Sequence, residues 1–495
     1  MSSKPTLNRT EVVGLVILSL AVISGLWYLA LLSPGVEGGM DSYEHYFIAR
    51  YSWKYPSKLL LDQWGKPIYN ILASPFAQLG MMGVEVLNIL LFVGSAWLTW
   101  LTARALQFRY AWLAFLLALA SPIFFDNVIS GLTEPMCAFI LMLAVWLFAT
   151  ERLMLGALVM GFLPYARSEG YVLMAVAGFY LLFIRGNWKA FLMLFAGSLV
   201  MNSIGWLVEG DPYWIYTSNP YIKFQRESMM KQENICGHGS WDHYLNALKW
   251  VMGKPRMILF FTGIILLFMT YVRNFRDRSH QTLFWIVLGM YALYFAVHSW
   301  IWQAGLMGSC GYERVLVVID PLAALLMAFV LELMLRFVGS ILPGRWKTLV
   351  VTLTLVATLG ALYIPWKIYG HKYPIDISEE QKLFSEAATW YNESSYQDRK
   401  IYFLYPYFNM LTDIDPYDDA HFTKLWSFDI QYAPEGCIVI WDGHFGPNEG
   451  NVPLELLEKH HDFRKIKSFY PDKPFKTLND YDFEIHVFER VRVTP

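Results

Sequence analysis

Charge is what this sequence has least of. Only 16% of its 495 residues are Asp, Glu, Lys or Arg, whereas 56% are hydrophobic and 17% aromatic; soluble globular chains carry roughly 25% charged residues. A fully water-exposed architecture is thereby excluded. The formal net charge of -2 leaves no basic footprint, so nucleic acid is not an expected partner. Cysteine is equally scarce: Cys137, Cys236, Cys310 and Cys437 stand at spacings that match neither a zinc site nor a disulfide scaffold. The chain has no Gly-rich dinucleotide or phosphate-loop fingerprint, no internal repeat and no low-complexity tract. "LLSPGVEGGM" lacks a clean small-x-small cleavage site, so the first apolar stretch reads as a span and not a removable signal.

What the sequence has in abundance is long apolar runs. A bilayer span takes about 20 mostly apolar residues, and about eleven runs qualify, the fifth being short and containing Pro164. They lie near Val12 to Leu32, Met82 to Ala103, Ala111 to Phe125, Pro135 to Ala149, Leu153 to Tyr165, Tyr171 to Ile184, Ala190 to Val208, Met257 to Val272, Thr282 to Trp302, Val315 to Leu335 and Thr348 to Trp366. Alternate connections are short and basic, with Lys4 and Arg9, Arg104 and Arg109, Arg152, Arg185 and Lys189, Arg273 to Arg278, and Arg336 to Lys347. Retention of Lys and Arg inside the cell then puts the N-terminus in the cytoplasm, and an odd number of spans exports the C-terminus. Cys236, Cys310 and Cys437 fall on the exported side, where a disulfide is permitted but no pair is singled out.

After about Trp366 the charge rises and the apolar runs shorten. "RKIYFLYPYF" and "GCIVIWDGHFG" read as buried strands, "PLELLEKHHDF" has helical spacing, and "DFEIHVFERV" alternates as a strand. The expected architecture is an α-helical polytopic membrane domain over residues 1-366, followed by an extracytoplasmic α/β domain over 367-495.

Polar residues on the outer side form a pattern. The first outer loop holds Asp41, Glu44 and His45 in "GGMDSYEHYF", then Lys66 in "WGKPIYN"; the second, "DNVISGLTEP", holds Asp126 and Glu134; "YARSEG" adds Arg167 and Glu169, and "GSCGYERVLVVIDP" adds Glu313 and Arg314. Ionisable groups at membrane depth are costly and normally face a cavity or each other. Each also has a plain structural reading. Asp41 and Glu44 suit the first turn of a helix, as does Glu134 before Pro135; Lys66 suits a headgroup; Arg167 with Glu169, and Arg314 with Glu313, suit local ion pairs. "DIDPYDD" at 413–419 reads as turns, "NES" at 392–394 as a chance sequon, and "HGSW" with His243 departs from standard metal spacing.

The order of these features resembles the C-type (GT-C) membrane glycosyltransferases, the superfamily of protein mannosyltransferases and aminoarabinose transferases. The resemblance covers residues 1 to 335. It rests on Asp41 soon after the first span, "GLTEP" opening the fourth, "GDPYWIYTSNPY" after the seventh and an arginine before a late Pro-containing span. The pattern is partial. Ser42 and Tyr43 separate Asp41 from Glu44, and Ile68 stands where the family has the second proline of a Lys-Pro-Pro stretch.

The resemblance implies transfer of a sugar, with inversion, from a polyprenyl-phosphate carrier to an acceptor hydroxyl on the outer face. It implies Asp41 as the base, with Glu44 beside it. Lys66 and Arg314, and behind them Arg167, would receive the lipid phosphate, while Asp126 and Glu134 would form a second acidic or acceptor site. Some family members use a divalent metal; no ligand set in this chain requires a cofactor. Partners would be the lipid-linked donor, a protein, lipid or glycan acceptor, and membrane lipids. Three other readings stay open at this point, one of them a non-enzymatic receptor or assembly subunit whose exported domain does the binding. A transporter or lipid flippase would put charges near the midplane in repeated halves, and a glycan polymerase or ligase would use a lipid-diphosphate donor.

Overall fold

The computed structural model describes residues 9–222 and 236–491. Lys4, used above for orientation, lies outside the described residues, as does part of the connection after Val208. Contacts divide the chain into two compact units, one of Met1–Ser33 with Ile48–Pro374 and one of Pro34–Phe47 with Ile375–Pro495. Composition alone draws the boundary near residue 366 and leaves the first outer loop with the membrane part; contacts assign Pro34–Phe47 to the second unit.

The first unit is helical, and each apolar run has become helix. Among the described residues seven helices are long and apolar enough to span a bilayer: Arg9–Leu32, Met81–Ala105, Trp188–Glu209, Lys254–Arg273, Arg278–Gln303, Glu313–Ile341 and Gly344–Lys372. Shorter apolar helices run over Glu134–Ala149, Leu153–Tyr165 and Gly170–Ile184. The chain is an integral membrane protein. The run from 111 to 125 is the exception to a single span, because it breaks into Trp112–Leu119 and Pro122–Asn127. Pro122 cannot donate to the preceding turn, and the Ser121 hydroxyl accepts the Phe124 N–H at 3.2 Å to start a new helix.

Glu313–Ile341 is the central element, with 94% of its apolar window buried against 22% for Arg9–Leu32. It packs with Met81–Ala105, Trp112–Leu119 and Lys254–Arg273. Elsewhere glycine permits contact between backbones: a β-carbon on Gly197 would lie 2.1 Å from the Gly161 carbonyl oxygen, so these two helices meet main chain to main chain.

The second unit is a five-stranded sheet with helices. The strands are β1 (Ile401–Phe403), β2 (Phe422–Lys424), β3 (Ile438–Asp442), β4 (Phe463–Phe469) and β5 (Ile485–Arg490), in the order β2-β1-β3-β5-β4. The first three are mutually parallel, and β5 is antiparallel to both β3 and β4. β5 lies inside the sheet with five of its six residues buried, so its alternating sequence does not mark a solvent face. "RKIYFLYPYF" is strand only as far as Phe403, since Pro406 starts the helix Pro406–Thr412. The "DIDPYDD" segment is turns, with Asp415 and Asp418 accepting N–H groups two residues on.

Pro34–Phe47 is built into this unit. Gly35 donates to the Ile375 carbonyl at 3.0 Å, Gln381 donates to the Tyr43 hydroxyl at 2.9 Å, and the Tyr43 and Tyr407 rings lie 5.3 Å apart.

Candidate functional site

Lys66 sits at the head of the helix Pro67–Ala77 in the left-handed region, with φ +67°, and is buried. A non-glycine residue there stores backbone strain of about 1 kcal/mol or more, so the neighbouring loop must hold it. Asp62 accepts the Gly65 N–H at 2.6 Å, and Asn70 donates to the Leu59 and Asp62 carbonyls. The ammonium donates to the Gln63 carbonyl at 3.0 Å and to the Tyr221 hydroxyl at 3.4 Å, and lies 4.6 Å from the Tyr221 ring centre. The following turn is anchored by Tyr69, whose hydroxyl donates to the Gly131 carbonyl at 2.7 Å.

Gly131 belongs to the connection that ends at Glu134. Asn88 fixes it from the side by donating to the Ser130 and Leu132 carbonyls. Glu134 then opens its helix in the position that favours a carboxylate, but its side chain does more than cap. Its Oε1 takes Arg167 at 2.8 Å and Arg314 at 3.5 Å. Arg167 also reaches Glu169 at 2.6 Å and the Thr133 hydroxyl at 3.1 Å, and its guanidinium lies within electrostatic reach of Tyr221, the partner of Lys66.

Lys66, Arg167, Arg314, Glu134 and Glu169 thus gather in one region of the first unit, with one formal positive charge in excess over these five groups. Glu134 Oε2, Glu169 Oε2 and Arg167 Nε are buried without a hydrogen-bond partner among the described residues. Both arginines of this network are thus oriented by carboxylates. Asp126 is paired with Lys372 at 2.7 Å.

The other two acids lie in the second unit. Asp41 and Glu44 share the first turns of the helix Gly39–Tyr51. Glu44 is buried and bonds Lys424 at 2.6 Å, while the Lys424 ammonium stacks over Trp426 at 4.6 Å. Beyond them lies Glu449, which sequence reasoning missed. Its carboxyl is raised to about 7, by burial first of all and by the negative charges of Asp41, Asp442 and Glu44, against the lowering effect of His444. His444 itself is bonded to Glu380 at 3.0 Å, which, against the effect of burial, raises its own pKa. No short motif links Glu449, Lys424 or His444 to Asp41; only the fold does so.

Two connections carry the remaining sequence candidates. Cys236 and Cys310 form a disulfide, whereas Cys137 and Cys437 are free and buried. His243 bonds the Gly311 carbonyl at 2.7 Å. Among the described residues the one group suited to a metal by geometry is His460, His461 and Asp462, and Arg490 pairs with Asp462 there at 3.1 Å.

The fold has solved counterparts. The chain superposes on ArnT from Cupriavidus metallidurans bound to undecaprenyl phosphate with a TM-score of 0.58 and 14% identity, over 96% of this chain and 98% of that one. The apo state of the same protein gives 0.55 and 13%, with the same coverage. An oligosaccharyltransferase from Archaeoglobus fulgidus, tethered with an acceptor peptide, gives 0.54 and 12% over 90% of this chain and 72% of that one. No family model matches the sequence, and no curated protein does either. The chain has the GT-C fold.

Proposed function

We propose that this protein is an inverting membrane glycosyltransferase that moves a sugar from a polyprenyl-phosphate carrier to an acceptor hydroxyl on the extracytoplasmic face. The observation that carries the reading is the cluster of Lys66, Arg167 and Arg314, the first two buried and the third half-buried, with Glu134 and Glu169 set against the arginines, in a chain whose fold is also that of a protein solved with undecaprenyl phosphate.

The leaving group of the reaction is a lipid phosphate whose negative charge grows as the anomeric bond breaks. Cations already oriented for it lower the barrier without reorganising. Lys66 supplies a point charge and Arg314 a planar fork, with Arg167 behind them holding Glu134. Asp41 is the base that takes the acceptor proton as the new bond forms, a contribution of typically 10²- to 10⁴-fold, and Glu44 orients it. Asp126 and Glu134 serve the acceptor side or, in the case of Glu134, the arginines.

The N-terminus is cytoplasmic and the C-terminal domain is exported. The Cys236–Cys310 disulfide supports that orientation, since disulfides persist on the oxidising side of a membrane. Membranes containing the protein, given a panel of labelled polyprenyl-phosphate sugars, should pass label from one donor to an acceptor fraction. Label that stays on every lipid would count against the reading, and label that moves only from a lipid diphosphate would make the protein a polymerase or ligase.

A further inference from the structure

The short connection that delivers Arg314 is pinned from both sides. Before it, Cys310 is bonded to Cys236, and the next residue, Gly311, takes His243 on its carbonyl at 2.7 Å. Gly311 has φ +67°, and a β-carbon there would sit 2.6 Å from Trp302, so the strand of chain lies flat on that indole. The same tryptophan accepts the Gly239 N–H on its carbonyl at 3.2 Å, three residues after Cys236. After it, the Tyr294 hydroxyl donates to the Val315 carbonyl at 3.1 Å. Between these anchors Arg314 stacks on Tyr312 at 4.5 Å and points its Nε toward Glu134 at 3.5 Å.

We infer that the Cys236–Cys310 disulfide and His243 are positioning residues for Arg314, holding its guanidinium where the carrier phosphate binds. The inference rests on the phosphate role proposed for Arg314. A glycine-rich connection with positive φ at Gly305, Met307, Gly308 and Gly311 has many alternative conformations, and each anchor removes some of them before the ligand arrives. Preorganisation of this kind appears as affinity for the donor and leaves the proton transfer at Asp41 untouched.

The test uses the full chain in nanodiscs with undecaprenyl phosphate as probe. Wild type, R314A, C236S/C310S, H243A and the combinations with R314A are compared for Kd, after peptide mapping under non-reducing conditions has confirmed the cross-link in wild type. R314A should weaken binding about 10- to 100-fold, as expected for the loss of a charge-assisted bond. C236S/C310S and H243A should each weaken it about three- to tenfold, with nothing further lost once Arg314 is already absent, because coupled residues are not additive. In transfer assays R314A should lower kcat/KM for the donor, and C236S/C310S and H243A should lower it less, with nothing further lost in the R314A background.

Equal losses in the presence and absence of Arg314 would overturn the inference, as would wild-type Kd in both loop variants or a missing cross-link. Unchanged binding by R314A itself is a separate result, which would remove the phosphate role of Arg314. H243A keeps the disulfide, so a folding defect in the double cysteine variant does not decide the matter.

Discussion

Lys66 combines three properties that single residues seldom share: it is charged, buried and in a left-handed backbone conformation. In the function proposed above, phosphate binding offsets that cost. K66Q, which keeps a polar side chain one atom shorter and removes its charge, should raise the Kd for undecaprenyl phosphate by about tenfold or more, measured on purified protein; affinity equal to wild type would make Lys66 a structural anchor for Tyr221. Glu449 gives a pH prediction. Its carboxyl titrates near 7 in the fold against 4.5 in the free chain, so the folded state binds the proton more tightly. Stability from this group is therefore complete below about 4.5 and is lost as pH rises through about 7. Thermal melting between pH 5 and pH 8 should fall less steeply in E449Q than in wild type; parallel curves would contradict the assignment.

Among the elements, the turn from Pro164 to Gly170 carries Arg167, one of the charged groups that the first unit buries. Arg167 holds Glu134 and Glu169 together, and removal of one partner from a buried network leaves uncompensated charge costing about 3–5 kcal/mol. R167A should therefore lower the melting temperature and the yield of folded protein, while R167A/E134Q/E169Q should recover part of the loss; a triple variant worse than the single one would contradict this. The sequence made much of this element visible. Apolar runs long enough to span, and the Pro and Ser residues that punctuate them, survive as helices because lipid leaves the backbone no other way to satisfy its polar groups. Partners were less legible. Arg314 sits beside Glu313 in sequence yet meets Glu134 in space, and Arg167 reaches Glu134 as well as its near neighbour Glu169, because helix packing outranks proximity along the chain.

At the scale of the whole molecule, an α-helical membrane part and a small α/β part could be read from composition, and the GT-C resemblance from the order of a few polar segments. The assignment of Pro34–Phe47 to the second unit could not, since it depends on Tyr43 meeting Tyr407 and Gln381 and on Glu44 meeting Lys424, all over 330 residues away. Glu449 was hidden for the same reason. The helix that carries Asp41 is thus anchored through Tyr43 and Glu44 to residues of the second unit.

The central claim is that Asp41 is the base of a sugar transfer from a polyprenyl phosphate. The direct measurement is transfer of labelled sugar from the active donor by wild type and by Asp41→Asn at matched levels of folded protein, with binding of undecaprenyl phosphate recorded alongside. The account predicts that Asp41→Asn binds the carrier as wild type does and transfers at least about 100-fold more slowly. Transfer at the wild-type rate would reduce Asp41 to a helix-capping residue and contradict the mechanism.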